Sequence, residues 1–95
     1  MTGYLIAQLN IKNLEPYKNY IEKVTPLAKM FGGEYIVRSG KYKVVQGKWE
    51  YERNVIIKFP SYQNAVDFYE SDDYKPIKKI RENNSYGNII LIEGS

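Results

Sequence analysis

Arginine and tyrosine are the residue types that offer chemistry in this chain. Ten of its 95 residues are tyrosine, and it contains neither cysteine nor histidine. Thiol nucleophiles are thereby excluded, and so are the commonest general base and transition-metal ligand. Proton transfer would fall to Glu, Asp, Tyr or Lys side chains or to a bound cofactor. The sequence carries no motif for a metal or a cofactor, and we predict neither.

Arg38 is the first candidate for binding a ligand. It follows the apolar run Tyr35–Val37. A guanidinium stays charged in proteins, so an arginine that points into the protein needs an anion or a carboxylate partner. One interpretation is that Arg38 holds the carboxylate of a small acid. The alternative is a structural ion pair with Glu52 or Glu93.

Arg53 and Arg81 are two further candidates. Arg53 precedes the third predicted strand and has the same two interpretations, with Glu50 and Glu52 as local partners. Arg81 follows a short predicted helix, from which it would either reach the mouth of a pocket or form a surface ion pair. The sequence does not decide between these roles.

Two aromatic residues complete the candidate ligand-binding set. Trp49 is the only tryptophan. It lies beside a predicted loop, where it would form a wall or lid over a ligand or pack across a subunit interface. Tyr69 follows Phe68 on a predicted helix, and core packing is its alternative role. Tyr20, on an earlier predicted helix, is expected to serve the core alone.

Runs of β-branched and aromatic residues predict four strands. They cover residues 4–11, 34–45, 54–59 and 88–93. Ser39–Gly40 indicates a bulge or bend within the second strand. Gln46–Lys48 would turn the chain into the third strand as an antiparallel hairpin. Pro60 cannot donate to a sheet and ends the third strand.

The first predicted helix carries apolar residues at helical spacing from Tyr17 to Phe31. It opens near Asn13, with Pro16 in the first turn, where proline is tolerated. Pro26 lies inside the stripe, so we expect a kink rather than an end. Gly32–Gly33 terminates the helix.

Two shorter helices are predicted later in the chain. Ser61 is a good N-cap for a helix that ends near Tyr69. Ser71 precedes a short helical segment over Tyr74–Ile80. Asn83–Ser85 is predicted to be a loop before the last strand.

The predicted order β-α-β-β-α-β is typical of an α+β, ferredoxin-like fold. It implies one domain over residues 1–95, with a four-stranded antiparallel sheet and its helices on one face. The third and fourth strands are apolar on both faces: Val55 and Ile56 alternate in one, Ile89 and Ile90 in the other. An uncovered face of this kind exceeds the apolar patch that monomers usually expose. A second copy packed sheet to sheet about a two-fold axis would cover it, so we predict a homodimer.

The chain also resembles a known family, DUF1330, over nearly its whole length. The resemblance rests on Tyr4–Ile11, Phe31–Gly33, Tyr35–Arg38, Trp49–Arg53, Phe59–Ser61, Ala65, Phe68–Ser71, Tyr74 and Arg81. It implies a dimeric α+β barrel made of ferredoxin-like subunits. No activity is established for the family, whose structural relatives include small monooxygenases and isomerases. The chain departs from the family pattern at Ser39, where glycine is usual, and at Tyr51, where proline is usual.

These features predict a protein that binds a small acidic metabolite. If it is an enzyme, we expect it to act on that metabolite without a cofactor. The alternative is a metabolite-binding or regulatory module without catalysis. RNA binding is not expected, because Asn54–Phe59 is aliphatic where an RNA-recognition strand of this topology places stacking rings. The net charge is only +3, so no nucleic-acid partner is predicted. No membrane span or N-terminal signal is recognised, and a cytoplasmic location is expected.

Overall fold

Seven elements follow one another in the computed structural model, which describes residues 1–95. They are β1 (Gly3–Ile11), α1 (Leu14–Met30), β2 (Glu34–Arg38), β3 (Arg53–Phe59), α2 (Tyr62–Tyr69), α3 (Tyr74–Asn84) and β4 (Ser85–Glu93). The strands form one antiparallel sheet in the order β2–β3–β1–β4. This arrangement confirms the predicted ferredoxin-like α+β fold.

One face of the sheet carries the core, and we call it the cavity face. Alternate residues of β1 point toward the helices and are buried: Leu5, Ala7 and Leu9. Register places β3 and β4 side chains next to them, because Leu5 lies opposite Ile57 on one side and Leu91 on the other. Burial of such side chains is the main driving force for folding of a domain this size.

The other face of the sheet, which we call the open face, has no helix over it. Ile6, Ile56 and Ile90 lie side by side on it by register. Ile90 and Ile92 remain about half exposed, at 52% and 46%. The two-sided apolar pattern of the sequence is therefore real, and it leaves isoleucines in contact with solvent. None of the helices is long and apolar enough to cross a membrane.

α1 continues through Pro26 as predicted and ends at a glycine pair. The amide of Gly33 donates to the Ala28 carbonyl at 2.8 Å, and the amide of Gly32 donates to the Lys29 carbonyl at 2.9 Å. These two bonds form a Schellman motif. Gly32 has φ +84°, a conformation that glycine adopts at little cost.

The third helix is longer than the sequence predicted. Asn83 and Asn84, expected in a loop, are helical, and Ser85 already begins β4. At this end of the helix, side chains donate hydrogen bonds to the free carbonyls of the last turn. Asn84 Nδ2 donates to the Ile80 carbonyl at 2.7 Å, and Ser85 Oγ donates to the Arg81 carbonyl at 2.7 Å. Such bonds satisfy groups that a helix end otherwise leaves unpaired. The prediction of a loop here was wrong, and Arg81 lies within α3.

β2 is shorter than predicted. It ends at Arg38 instead of continuing to residue 45, and residues 39–52, which we call the connecting segment, have no regular secondary structure. The predicted antiparallel pairing of β2 and β3 is confirmed, but a long segment joins them instead of a tight turn. Of the predicted bulge or bend, a bend occurs at Ser39, which follows the strand with φ +56°. The bulge lies earlier, between Tyr35 and Val37.

Candidate functional site

The bulge in β2 determines where Arg38 points. Alternation would place Tyr35 and Val37 on one face and Arg38 on the other. The extra residue shifts the register, so that Tyr35 lies opposite Ile57 and Arg38 lies opposite Val55. Both of these partners are on the cavity face. A bulge re-aims side chains in this way, and here it brings Arg38 beneath α1.

Arg53 and Arg81 reach the same region from other elements. Arg53 is the first residue of β3 and lies opposite Leu9, on the cavity face. Arg81 follows Tyr74 by two turns of α3 and is only 8% exposed. Together with Arg38 they line one cavity between the sheet, α1 and α3. We call it the arginine cavity; its other polar side chains are Tyr17, Tyr20, Tyr35 and Tyr74, and its floor is apolar.

None of these arginines forms an ion pair, and no acidic side chain lines the arginine cavity. The two ion pairs of the protein, Lys18–Glu15 and Lys75–Asp72, both lie on the exposed surface. The structural ion pairs that the sequence allowed for Arg38 and Arg53 are absent. The basic residues are also divided by type. Of 14 basic residues, the three arginines all line the cavity and no lysine does.

The arginines instead contact neutral groups. Arg38 donates to the Thr25 hydroxyl at 2.7 Å and lies 4.3 Å above the Tyr35 ring. Arg81 donates to the hydroxyl of Tyr69 at 3.0 Å. Arg53 lies 5.4 Å from the centre of another tyrosine ring of the cavity. Hydroxyls and ring faces attract a guanidinium but do not neutralise it.

Two of the guanidinium nitrogens have no partner at all. Nε of Arg53 and Nε of Arg81 are buried and make no hydrogen bond, and they are the only buried side-chain nitrogen or oxygen atoms in this condition. A buried donor without an acceptor is costly, more so when it is charged. The cavity is thus rich in donors and poor in acceptors, which is the chemistry of an anion site.

A pair of tyrosine hydroxyls adjoins Arg81. The hydroxyls of Tyr20 on α1 and Tyr74 on α3 lie 2.9 Å apart. Burial is the main cause that raises the pKa of Tyr20 well above its usual value, and the neighbouring Tyr74 adds to it. Burial likewise raises the pKa of Tyr74, against the opposing influence of Tyr20 and Arg81. Both hydroxyls therefore keep their protons near neutral pH.

Arg81 keeps its charge in this setting. Its burial acts to lower the pKa of the guanidinium, but Tyr74, Tyr20 and Tyr69 outweigh that effect and the pKa is raised. The Tyr69 ring in turn packs against Tyr74 with 5.3 Å between ring centres. Tyr69 does not line the cavity itself; it holds the Arg81 side chain in place.

The free volume of the arginine cavity is about 30 Å³. A water molecule needs a volume of about 10–15 Å³ in such a cavity, so the cavity admits only a small ligand. Arg38 is exposed at the rim, where the cavity reaches solvent. No group of acidic side chains that could hold a metal ion occurs in the structure.

Comparison with known proteins now assigns the family. Residues 2–95 match the family described as a domain of unknown function, DUF1330. The chain belongs to the DUF1330 family. No curated protein matches it.

Solved structures similar to this DUF1330 chain share its fold. The RPA0582 protein of unknown function from Rhodopseudomonas palustris has a TM-score of 0.80 and 14% identity, with 99% of this chain and 82% of that chain covered. SnoaB, a cofactor-independent oxygenase from Streptomyces nogalater, has a TM-score of 0.68 and 6% identity, covering 99% and 93%. The de novo designed protein Foldit4 has a TM-score of 0.60 and 15% identity, covering 100% and 98%. At these identities the likeness concerns the fold alone.

Trp49 lies apart from the other candidate residues. It is on the connecting segment over the open face, where its indole Nε1 donates to Asn54 Oδ1 at 2.9 Å. There it lines a second, largely apolar groove of about 340 Å³, beside Ile6, Val44 and Ile56. The structure thus brings together Arg38, Arg53 and Arg81, with Tyr69 behind them, and places Trp49 on the opposite side of the sheet.

Sequence reasoning assigned none of the four cavity tyrosines, Tyr17, Tyr20, Tyr35 and Tyr74, to this DUF1330 site. Tyr20 was expected to be core, yet it is partly buried, lines the cavity and bonds Tyr74. Tyr74 was placed in a short helical segment and among the residues that carry the family resemblance, without a role in the site. The helical spacing identifies both as inward-facing, but the pairing depends on how α1 packs against α3, which the spacing does not encode.

Proposed function

We propose that this DUF1330 protein binds a small acid, with the carboxylate of the acid held in the arginine cavity. The observation that carries the proposal is the pair of buried, unpartnered Nε atoms on Arg53 and Arg81. A carboxylate offers two oxygens with about four acceptor sites. Placed between these two arginines, it would satisfy both nitrogens and supply the missing negative charge.

Electrostatics supports an anion over a neutral ligand. Removing a guanidinium from water costs several kcal/mol unless an opposite charge compensates it. Arg81 is almost fully buried, and the nearest groups are hydroxyls and aromatic rings. Arginine is also the side chain best suited to binding a carboxylate through two parallel bonds. The small cavity favours acids of a few atoms.

The test is stabilisation by acids, measured as the shift in melting temperature with acetate, propionate or isobutyrate at constant ionic strength. We expect a shift for the wild type and none for Arg81→Met or Arg53→Met. The matched control is Lys79→Met, which removes an exposed cation outside the cavity and should leave the shift intact. Equal shifts in all four proteins would show that the acids act on the surface and would refute the proposal.

The cavity supports the binding of an acid without catalysis better than it supports an enzymatic reaction. A reaction needs a group that accepts a proton, and the arginines and protonated tyrosines of the cavity are donors. The oxygenase SnoaB works without a cofactor, and a catalytic form of this protein would be of that kind. Consumption of a bound acid, followed by NMR of the acid in air and under nitrogen, separates an enzyme from a binding module.

We further propose that two copies pair through their open faces. The centre of that face is apolar and uncharged, with Ile6, Ile56 and Ile90 in adjacent strands. A two-fold interface places each surface against its own copy, and an uncharged centre brings no like charges together. Pairing would also remove the exposed isoleucines from water.

Sedimentation or light scattering of Ile90→Glu tests this pairing. The glutamates of two facing copies would be buried close to one another, so we expect a monomer. Leu14→Glu is the matched control, because Leu14 is equally exposed, at 53% against 52%, but lies at the start of α1. A wild-type protein that is monomeric at 100 µM would contradict the pairing, as would an unchanged dimer for Ile90→Glu.

A further inference from the structure

The hydroxyl pair of Tyr20 and Tyr74 has one hydrogen more than it uses. Two hydroxyls carry two hydrogens, and the 2.9 Å bond between them consumes one. The only further hydrogen-bond partner of the pair is the Arg81 guanidinium, at Tyr74. The neighbouring Arg81 is itself only a donor. One O–H group of the pair is therefore left without an acceptor.

This spare donor belongs to the arginine cavity. Both tyrosines line it together with Arg81. Tyr74 is 1% exposed and Tyr20 is partly buried, so bulk water does not supply the acceptor when the spare hydrogen lies on Tyr74. A ligand whose carboxylate is bound by the arginines would come within reach of this hydroxyl. A buried donor that stays unpaired disfavours a ligand without an acceptor at that point.

We infer that the pair selects acids that carry a carbonyl oxygen beside the carboxylate, that is, 2-oxo acids. This inference rests on the proposed binding of an acid by the arginines. A carbonyl oxygen accepts the spare hydrogen and adds no donor of its own. A 2-hydroxy acid also accepts it, but brings a further O–H into a cavity already rich in donors. A plain alkyl acid leaves the hydroxyl unpaired.

The preference is measured with three acids of nearly equal size. Pyruvate carries the carbonyl oxygen, lactate a hydroxyl, and isobutyrate a methyl group at the same position. For the wild type we expect pyruvate to bind about fivefold to tenfold more tightly than isobutyrate, the usual effect of one net hydrogen bond. Lactate should lie between them. Isothermal titration calorimetry gives the three dissociation constants.

Single and double Tyr→Phe variants distinguish a role in ligand selection from a structural role, because only the double variant should lose the preference for pyruvate. Tyr20→Phe or Tyr74→Phe alone leaves one hydroxyl with a free hydrogen, so each should keep most of the preference for pyruvate. The double variant removes the donor, and the ratio of the two dissociation constants should fall severalfold toward one. Replacing both partners of a hydrogen bond by apolar groups of the same shape is nearly neutral for stability, so the double variant should fold. Tyr62→Phe, an exposed tyrosine on α2, is the control.

Failure of this inference differs from failure of acid binding. If pyruvate and isobutyrate bind wild type equally, or if the double variant keeps the preference, the tyrosine pair does not select the ligand and the inference is overturned. Acid binding itself still stands in those cases if Arg81→Met abolishes it. If none of the three acids binds, or if Arg81→Met binds them as wild type does, both proposals are overturned.

Discussion

The two faces of the sheet are incomplete in opposite ways. On the cavity face, three arginines lie among apolar and aromatic side chains without an anion, and Arg81 is buried there. On the open face, Ile90 and Ile92 of β4 are about half exposed. Alternation along β1, β3 and β4 places the core and the isoleucines on opposite faces, whereas Arg38 reaches the cavity through the bulge in β2 and Arg81 from α3. The proposed acid would complete the cavity face, and the proposed second copy would complete the open face.

The largest expected effect comes from matched isoleucines on the two faces. Ile57 on the cavity face is 3% exposed, and Ile90 on the open face is 52% exposed. Ile57→Ala should lower the free energy of unfolding by about 2–5 kcal/mol at any protein concentration. Ile90→Ala should cost less than about 1 kcal/mol in dilute solution, because half its surface is already in water.

Urea denaturation at two protein concentrations checks this contrast. If the open faces pair, the cost of Ile90→Ala should rise with protein concentration, since dissociation then accompanies unfolding. The cost of Ile57→Ala should stay constant. Equal costs for both changes at high dilution would mean that the two faces do not differ as the structure describes.

Arg81→Met sharpens the same comparison from the charged side. It removes a buried cation without a counter-ion and supplies a flexible apolar chain of similar length. It also removes one hydrogen bond to Tyr69, worth about 1 kcal/mol. In the absence of any acid we expect the variant to be at least as stable as wild type. Its melting temperature should be higher by at most about 4–8 °C.

The contrary outcome for Arg81→Met is informative. A loss of about 3–5 kcal/mol is what breaking a buried ion pair produces, and it would identify Arg81 as part of the scaffold. Gain of stability with loss of acid-dependent stabilisation is instead the pattern of a site whose function opposes stability. The measurement is calorimetry of the ligand-free wild type and variant in a buffer whose anion has low affinity for arginine.

Alkaline pH should weaken the cavity face in particular. The pKa values of Tyr20, Tyr74 and Tyr35 are raised, in each case chiefly by burial, whereas an unfolded chain ionises tyrosine near pH 10. A raised pKa means that stability is complete below about pH 10 and is lost as the pH rises above it. We expect the melting temperature to fall above about pH 10, and to fall less in Tyr20→Phe/Tyr74→Phe. Tyr62→Phe/Tyr86→Phe, both exposed, should lose stability as wild type does; an equally reduced fall in this control would contradict the assignment.

Much of the fold could be predicted because local signals agreed with one another. Ser61 caps α2 through a 3.1 Å bond from the Asn64 amide, and the glycines after Phe31 end α1 as expected. The end of β2 could not be predicted in this way. Residues 41–45 have strand-like composition, but they find no partner strand and stay irregular, since pairing and not propensity decides a strand.

The candidate site divides along the same line. All three arginines were identified by their residue type, because a permanently charged side chain in an apolar setting demands an explanation. Their convergence on one cavity was not predictable, since it depends on the bulge at Ile36 and on the packing of α1 against α3. Trp49 was grouped with them by its nearness in sequence to Arg53. The chain crosses to the other face of the sheet between the two residues, and sequence distance hides that crossing.

The smallest expected effect concerns Ser39, where the chain leaves the cavity face after Arg38. Its φ of +56° is a left-handed conformation that costs a residue with a side chain about 1–2 kcal/mol. Ser39→Gly removes that strain but adds about 0.5–1 kcal/mol of backbone entropy to the unfolded state. The free energy of unfolding should therefore rise by between zero and about 1 kcal/mol. The 2.7 Å hydrogen bond from the amide of residue 39 to the Asn54 carbonyl should stay intact.

Gly40→Ala is the partner experiment for Ser39→Gly, because a side chain at Gly40 would meet nothing within 4 Å and its φ is not positive. Alanine at this position restricts only the unfolded chain and should raise the free energy of unfolding by about 0.4–1 kcal/mol. If both changes stabilise, the backbone strain is confined to the single residue that turns the chain from Arg38 toward the open face. A loss of stability for Ser39→Gly would instead show that this turn is not left-handed in solution. The direction of Arg38 would then have to come from its bond to Thr25 alone.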